Sequence, residues 1–101
     1  MTEIRIFGVA GSLRRLSFNA ALLNAAAELA PAGMHIDIGD IRHVPPYDDD
    51  VRAEAYPPEV EGLVGAMQRA DGLLFVTPEY NRSIPGILKN AIDWASRRPD
   101  Q

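Results

Sequence analysis

The sequence predicts an α/β fold, a three-layer sandwich in which helices cover both faces of a parallel sheet, in the order β-α-β-α-β-α. Three observations predict it. Short apolar runs at 3–9, 34–38 and 73–76 alternate with longer segments whose apolar residues recur every three or four positions. Proline or glycine stands at most boundaries: Pro31, Gly33, Pro57, Gly72 and Pro85. Regular alternation of strand and helix then makes the strands parallel and the crossovers right-handed.

The first strand is carried by Ile4, Ile6, Phe7 and Val9. Ser17 is a suitable N-cap for a helix to about Ala30, with Phe18, Ala21, Leu22, Ala25 and Leu29 on its expected core stripe. Pro31 and Gly33 stop it. Met34, Ile36 and Ile38 alternate with His35, Asp37 and Gly39, the pattern of a strand with one wet face. Residues 41–56 carry no period and read as a surface loop. Pro57-Pro58, followed by Glu59 and Glu61, opens a helix to about Ala70 with Val60, Leu63, Val64 and Met67 inward. Leu73 to Val76 is a continuous apolar strand of the kind buried on both faces. Pro85 opens the last helix, with Leu88, Ala91, Ile92 and Ala95 inside.

Composition narrows the function classes. The 101 residues make one small domain, 1–101, and 47% hydrophobic with 24% charged residues is globular rather than disordered composition. A net charge of −4 speaks against nucleic acid as partner, because a phosphate-backbone binder needs a basic face. The absence of cysteine excludes disulfide scaffolding and thiolate metal sites, and fits a cytoplasmic protein. No apolar run approaches the ~20 residues of a membrane span, so no membrane partner is expected. A three-stranded sheet leaves Leu73–Val76 with an unpaired apolar edge. The expectation is a domain truncated after its third βα unit, or one whose cover comes from another chain.

Two loops carry the chemistry. Gly11-Ser12-Leu13-Arg14, with Ser17 and Asn19, follows the first strand and leads into a helix N-terminus. Such an end presents free N–H groups and roughly half a positive charge. Ser12, Ser17 and Asn19 add donors, and Arg14 adds a fork suited to phosphate oxygens. Read from the residues alone, this is a phosphate loop or an ordinary turn in which Ser17 caps a helix. Pro78-Glu79-Tyr80-Asn81 follows the third strand, and prolines at 78 and 85 stiffen the loop at both ends. A rigid loop suits main-chain contact with a flat polar heterocycle; the plainer reading is a rigid connection. In a flavodoxin-like sheet of order 2-1-3-4-5, ligands bind between the first and third strands, where these two loops emerge.

These loops, together with Pro85-Gly86-Ile87-Leu88-Lys89-Asn90-Ala91-Ile92-Asp93-Trp94, resemble the NADPH-dependent FMN reductase family, including its quinone and chromate reductase members. The resemblance covers essentially the whole chain. It implies that Gly11, Ser12, Arg14, Ser17 and Asn19 hold the FMN phosphate, and that Pro78, Glu79, Tyr80 and Asn81 line the ribityl chain and isoalloxazine. It implies an oxidoreductase with NADPH (or NADH) as electron donor and a small-molecule acceptor: a quinone, free flavin, azo dye or chromate. It also implies a homo-dimer or homo-tetramer. The family's third flavin-contacting loop has no counterpart in these residues. No side chain is expected to be catalytic in the strict sense, since the flavin carries the redox chemistry. The alternatives are a flavodoxin-type FMN electron carrier and a non-catalytic fragment that folds with a partner.

Other motifs are set aside. Gly8 to Leu13 does not supply G-x-G-x-x-G, although Asp40 stands where a ribose-binding acid would, and no Walker A pattern is present. Asp48-Asp49-Asp50 reads as a solvated acidic turn, because successive side chains diverge. His35 and His43 stand alone. Arg15 and Arg82 read as solvated; the other reading is contact with the nicotinamide dinucleotide's phosphates for Arg15 and steering of NADPH for Arg82. Lys89, Asn90, Asp93 and Trp94 are expected in helix packing and subunit contact.

Overall fold

The computed structural model describes residues 3–11, 18–78 and 83–96. Its elements are β1 (Ile4–Ala10), α1 (Phe18–Glu28), β2 (Met34–Gly39), α2 (Asp49–Glu54), α3 (Pro58–Arg69), β3 (Gly72–Val76) and α4 (Gly86–Ala95). The strands form one sheet of order β2-β1-β3, all parallel. Ile4 pairs with Met34 and Val9 with Gly39 on one side of β1; Ile6 pairs with Gly72 and Ala10 with Val76 on the other. β1 is therefore central, as a flavodoxin-like α/β fold requires at its switch point.

The period-two alternation of β1 sorts the layers. Phe7 and Val9 point to the α3 and α4 side, where they are buried with Ile41, Leu63, Leu88 and Ala91. Gly8 points to the α1 side, where Leu23 descends onto it: a Cβ there would stand 2.7 Å from Leu23 Cδ1. Val60, Val64 and Trp94 form a second buried cluster between α3 and α4. The turn into β2 uses Gly33, whose φ of 87° lies in the left-handed region that glycine enters without steric cost.

Three expectations are corrected. The stripe assigned to the core of α1 faces outward: Phe18 is 89% exposed, Leu22 60% and Leu29 82%, whereas Leu23 is 1% exposed. The helix has a second face of Ala20, Leu23, Ala26 and Ala27, whose small side chains allow close approach to the sheet while one leucine fills the gap above Gly8. The loop at 41–56 contains α2, which Asp48 caps by accepting from the Asp50 N–H at 2.9 Å. No residue of α2 is buried, so it carries no apolar period to read. β3 is also not buried on both faces: Leu73 is 48% exposed and Phe75 37%. Among the described residues it pairs with β1 alone, which leaves the open edge expected from the sequence.

Helices α3 and α4 follow their patterns. Val60, Leu63 and Val64 are the buried residues of α3. Leu88, Ala91 and Trp94 are those of α4, with Ile92 and Ala95 half-buried. β2 keeps its alternation only in part: Met34 and Ile36 are half-buried and His35 and Asp37 exposed, but Ile38, expected inside, is 47% exposed.

Candidate functional site

The sheet brings the two loops to one place. At the carboxyl end of β1 the ladder continues past Ala10 and Val76, and the Gly11 N–H donates to the Val76 carbonyl at 2.9 Å. The chain leaves β1 at Gly11 and leaves β3 at Thr77, side by side. Contact is tight: a Cβ on Gly11 would lie 2.6 Å from Thr77 Oγ1, 2.9 Å from Thr77 Cβ and 3.1 Å from Leu88 Cδ2. Glycine is required here for close approach. It lets the end of β1 lie against both the end of β3 and the first turns of α4.

Each loop is tied to a helix. The first leads to α1, which has no acidic side chain in its first turn, and Asn19 lies half-buried in that turn. An anion there meets the positive end of the helix dipole with no carboxylate of that turn opposing it. The second begins at Thr77 and Pro78, both half-buried, and ends on buried Pro85. The Pro85 carbonyl accepts from Leu88 N at 3.1 Å and Lys89 N at 3.0 Å, which starts α4.

Of the site residues named from the sequence, Gly11, Asn19 and Pro78 are described. Gly11 and Pro78 stand at the ends of the adjacent strands β1 and β3, and Asn19 in the first turn of the helix that follows β1. Ser12, Arg14, Ser17, Glu79, Tyr80 and Asn81 lie outside the described residues, as do Arg15 and Arg82. The described part fits a phosphate-bearing flavin, since the acid-free helix start and the glycine contact lie at the strand ends where such a group would sit.

Several side chains are engaged elsewhere. Asp40, where a ribose-binding acid would stand, is gripped by its own neighbour. Arg42 donates from its backbone N at 2.9 Å, from Nε at 3.0 and 2.9 Å, and from Nη2 at 2.6 Å. Those hydrogen bonds, first from the side chain and then from the backbone, hold the Asp40 carboxyl below its usual range. This occupancy argues further against the dinucleotide reading. His35 pairs with Glu3 at 2.9 Å on the surface. Among the described residues no three His, Cys, Asp or Glu side chains are grouped to hold a metal ion. A cavity of about 380 Å³ lined by Arg5, Phe7, Asp37 and Arg69 lies at the amino-terminal end of the strands, away from the loops.

Sequence reading passed over Thr77 and Leu88 as parts of the site. Nothing local marks them, because their role comes from contact with Gly11 across 66 and 77 positions of chain (77 − 11 and 88 − 11). Asn90 and Trp94 do serve helix packing, as expected: both donate to the Pro45 carbonyl.

No described helix is long and apolar enough to cross a membrane. The sequence profile of the NADPH-dependent FMN reductase family matches residues 4–101. The chain is 52% identical over 99 residues to an NAD(P)H-dependent FMN reductase of Pseudomonas aeruginosa, covering 98% of this chain and 54% of that protein. It is 46% identical over 101 residues to a quinone reductase of Escherichia coli, with 98% and 54% covered. FerB, a flavoenzyme NAD(P)H:(acceptor) oxidoreductase from Paracoccus denitrificans, superposes with a TM-score of 0.87 at 40% identity, over 97% of this chain and 53% of that one. The chain thus spans about half the length of the relatives it matches. Strand order, the joined loop ends and the profile match over nearly every residue together place this chain in the NADPH-dependent FMN reductase family.

Proposed function

We propose that the protein is an FMN-binding NAD(P)H-dependent oxidoreductase that reduces a quinone-type acceptor, with free flavin, azo compounds and chromate as further acceptors. The observation that carries this reading is the packing of Gly11 against Thr77 and Leu88, which sets the loops after β1 and β3 beside each other at the switch point. When bound, FMN supplies the redox chemistry between NADPH or NADH and the acceptor.

The protein's own part is binding and orientation. Gly11, Ser12, Arg14, Ser17 and Asn19 hold the phosphate through backbone N–H groups, hydroxyls and one guanidinium. Pro78, Glu79, Tyr80 and Asn81 place a stiff run of main chain along the ribityl chain and ring system, with Tyr80 and Asn81 adding side-chain contacts. No side chain is assigned a proton transfer. In this reading the protein is cytoplasmic and works as a homo-dimer or homo-tetramer, which sedimentation measures.

Replacing Arg14 removes a charge-assisted contact of ~1.5–3 kcal/mol, so Arg14→Ala weakens FMN binding by roughly ten- to a hundredfold. Fluorescence titration reads this directly, and unchanged affinity removes Arg14 from the site. The reaction itself is tested by mixing FMN-loaded protein with NADPH and a benzoquinone. Quinone-dependent loss of NADPH absorbance supports a reductase. Tight FMN binding without NADPH oxidation marks an electron carrier instead.

A further inference from the structure

Helix α4 is held from two sides. On one, Leu88 lies against the end of β1, with its Cδ2 3.1 Å from the position of a Gly11 Cβ. On the other, Asn90 and Trp94, four residues apart and so on one face of the helix, reach the segment between β2 and α2. Asn90 Nδ2 donates to the Pro45 carbonyl at 2.8 Å, and Trp94 Nε1 donates to the same oxygen at 2.7 Å. Asn90 Oδ1 accepts from the Tyr47 N–H at 2.7 Å.

The Asn90 amide thus pairs with main chain as a neighbouring strand would, donating to one carbonyl and accepting from the N–H two residues on. Pro46 lies between and has no N–H of its own to satisfy. Among the standard side chains, asparagine has the length and the donor–acceptor pair for this clamp; aspartate has no donor when ionised, and leucine has neither group.

We propose that Asn90 is a positioning residue for the flavin site. Its clamp fixes the rotation and axial position of α4, whose first turn begins at Pro85–Gly86, where the 78–85 loop ends. The same helix presents Leu88 to Gly11, so a displaced α4 moves the anchor points of both loops together. This inference rests on the reading that the two loops bind FMN.

The test compares FMN affinity, by quenching of flavin fluorescence, in wild type, Asn90→Ala, Asn90→Asp and Met34→Ala. Met34 is half-buried at the start of β2, the end of the sheet away from both loops, so Met34→Ala loses packing without touching α4 or either loop. All are titrated at a temperature where circular dichroism shows them folded. Asn90→Ala weakens FMN binding about tenfold or more, because a shifted α4 leaves the loops to be ordered at the expense of binding. Asn90→Asp keeps an acceptor for the Tyr47 N–H but sets a carboxylate oxygen against the Pro45 carbonyl, so it weakens binding too and decides the matter if Asn90→Ala fails to fold. Met34→Ala stays within about twofold of wild type, as a change remote from the loops should. Wild-type affinity in both Asn90 variants, or equal weakening in Met34→Ala, overturns the positioning role while the flavin reading stands. No FMN binding by wild type overturns the flavin reading, and the positioning role falls with it.

Discussion

Trp94→Ala lowers stability by about 3–5 kcal/mol, the usual range for truncating a fully buried aromatic side chain. Trp94 is 0% exposed and packs with Val60 and Val64 of α3. It meets Tyr47 edge-on at 5.0 Å and Tyr56 edge-on at 6.1 Å. Its Nε1 donor to Pro45 disappears with the ring. A domain of this size has a total stability of roughly 5–15 kcal/mol, so one substitution removes a large share of it. The thermal midpoint falls by more than ~12 °C on the usual scaling for small domains. Trp94→Phe keeps most of the ring packing, and Asn90 still donates to the Pro45 oxygen, so its loss is well under half as large. Equal losses in the two variants, measured by thermal denaturation, refute the account of a ring-filled core.

Gly11→Ala acts on stability and site together. The added methyl stands inside contact distance of Thr77 Oγ1, Thr77 Cβ and Leu88 Cδ2 at once. Thr77 is β-branched and stiff at χ1, so it yields mainly by moving β3 away from β1. Overpacking of this kind costs about 1–3 kcal/mol. Because the displaced atoms are the starting points of both loops, FMN affinity falls about tenfold or more. Adding Thr77→Ala removes the closest of the three contacts and restores part of the loss, as expected for coupled neighbours. Wild-type melting and affinity in Gly11→Ala contradict the close approach.

Much of this fold was legible because its helices and strands differ in period. The α3 stripe of Val60, Leu63 and Val64 is an ordinary amphipathic signal, and the structure buries those residues. α1 was harder for a physical reason. Periodicity finds two apolar faces on it, one bulky and one mostly alanine, and does not say which one the sheet takes. The choice depends on Gly8, a socket on another element that accepts Leu23. α2 escaped because a six-residue helix with nothing buried has no hydrophobic period, and its three aspartates read as a turn. In fact Asp48 caps that helix, and Asp49 and Asp50 face its positive end.

The candidate site divides along the same line. Its loops announce themselves through local signs: glycine before hydroxyls and an arginine, and prolines at both ends of a polar stretch. What aligns them does not. Gly11 against Leu88, and Asn90 against Pro45, join residues far apart in sequence, and only the assembled sheet brings them into contact.

The most direct measurement is an FMN titration of the purified 101-residue protein, read by quenching of flavin fluorescence and repeated in excess inorganic phosphate. The account predicts saturable binding that phosphate weakens, because on the proposed reading the first loop takes the flavin's phosphate. A compact fold that leaves flavin fluorescence unchanged at every concentration contradicts it.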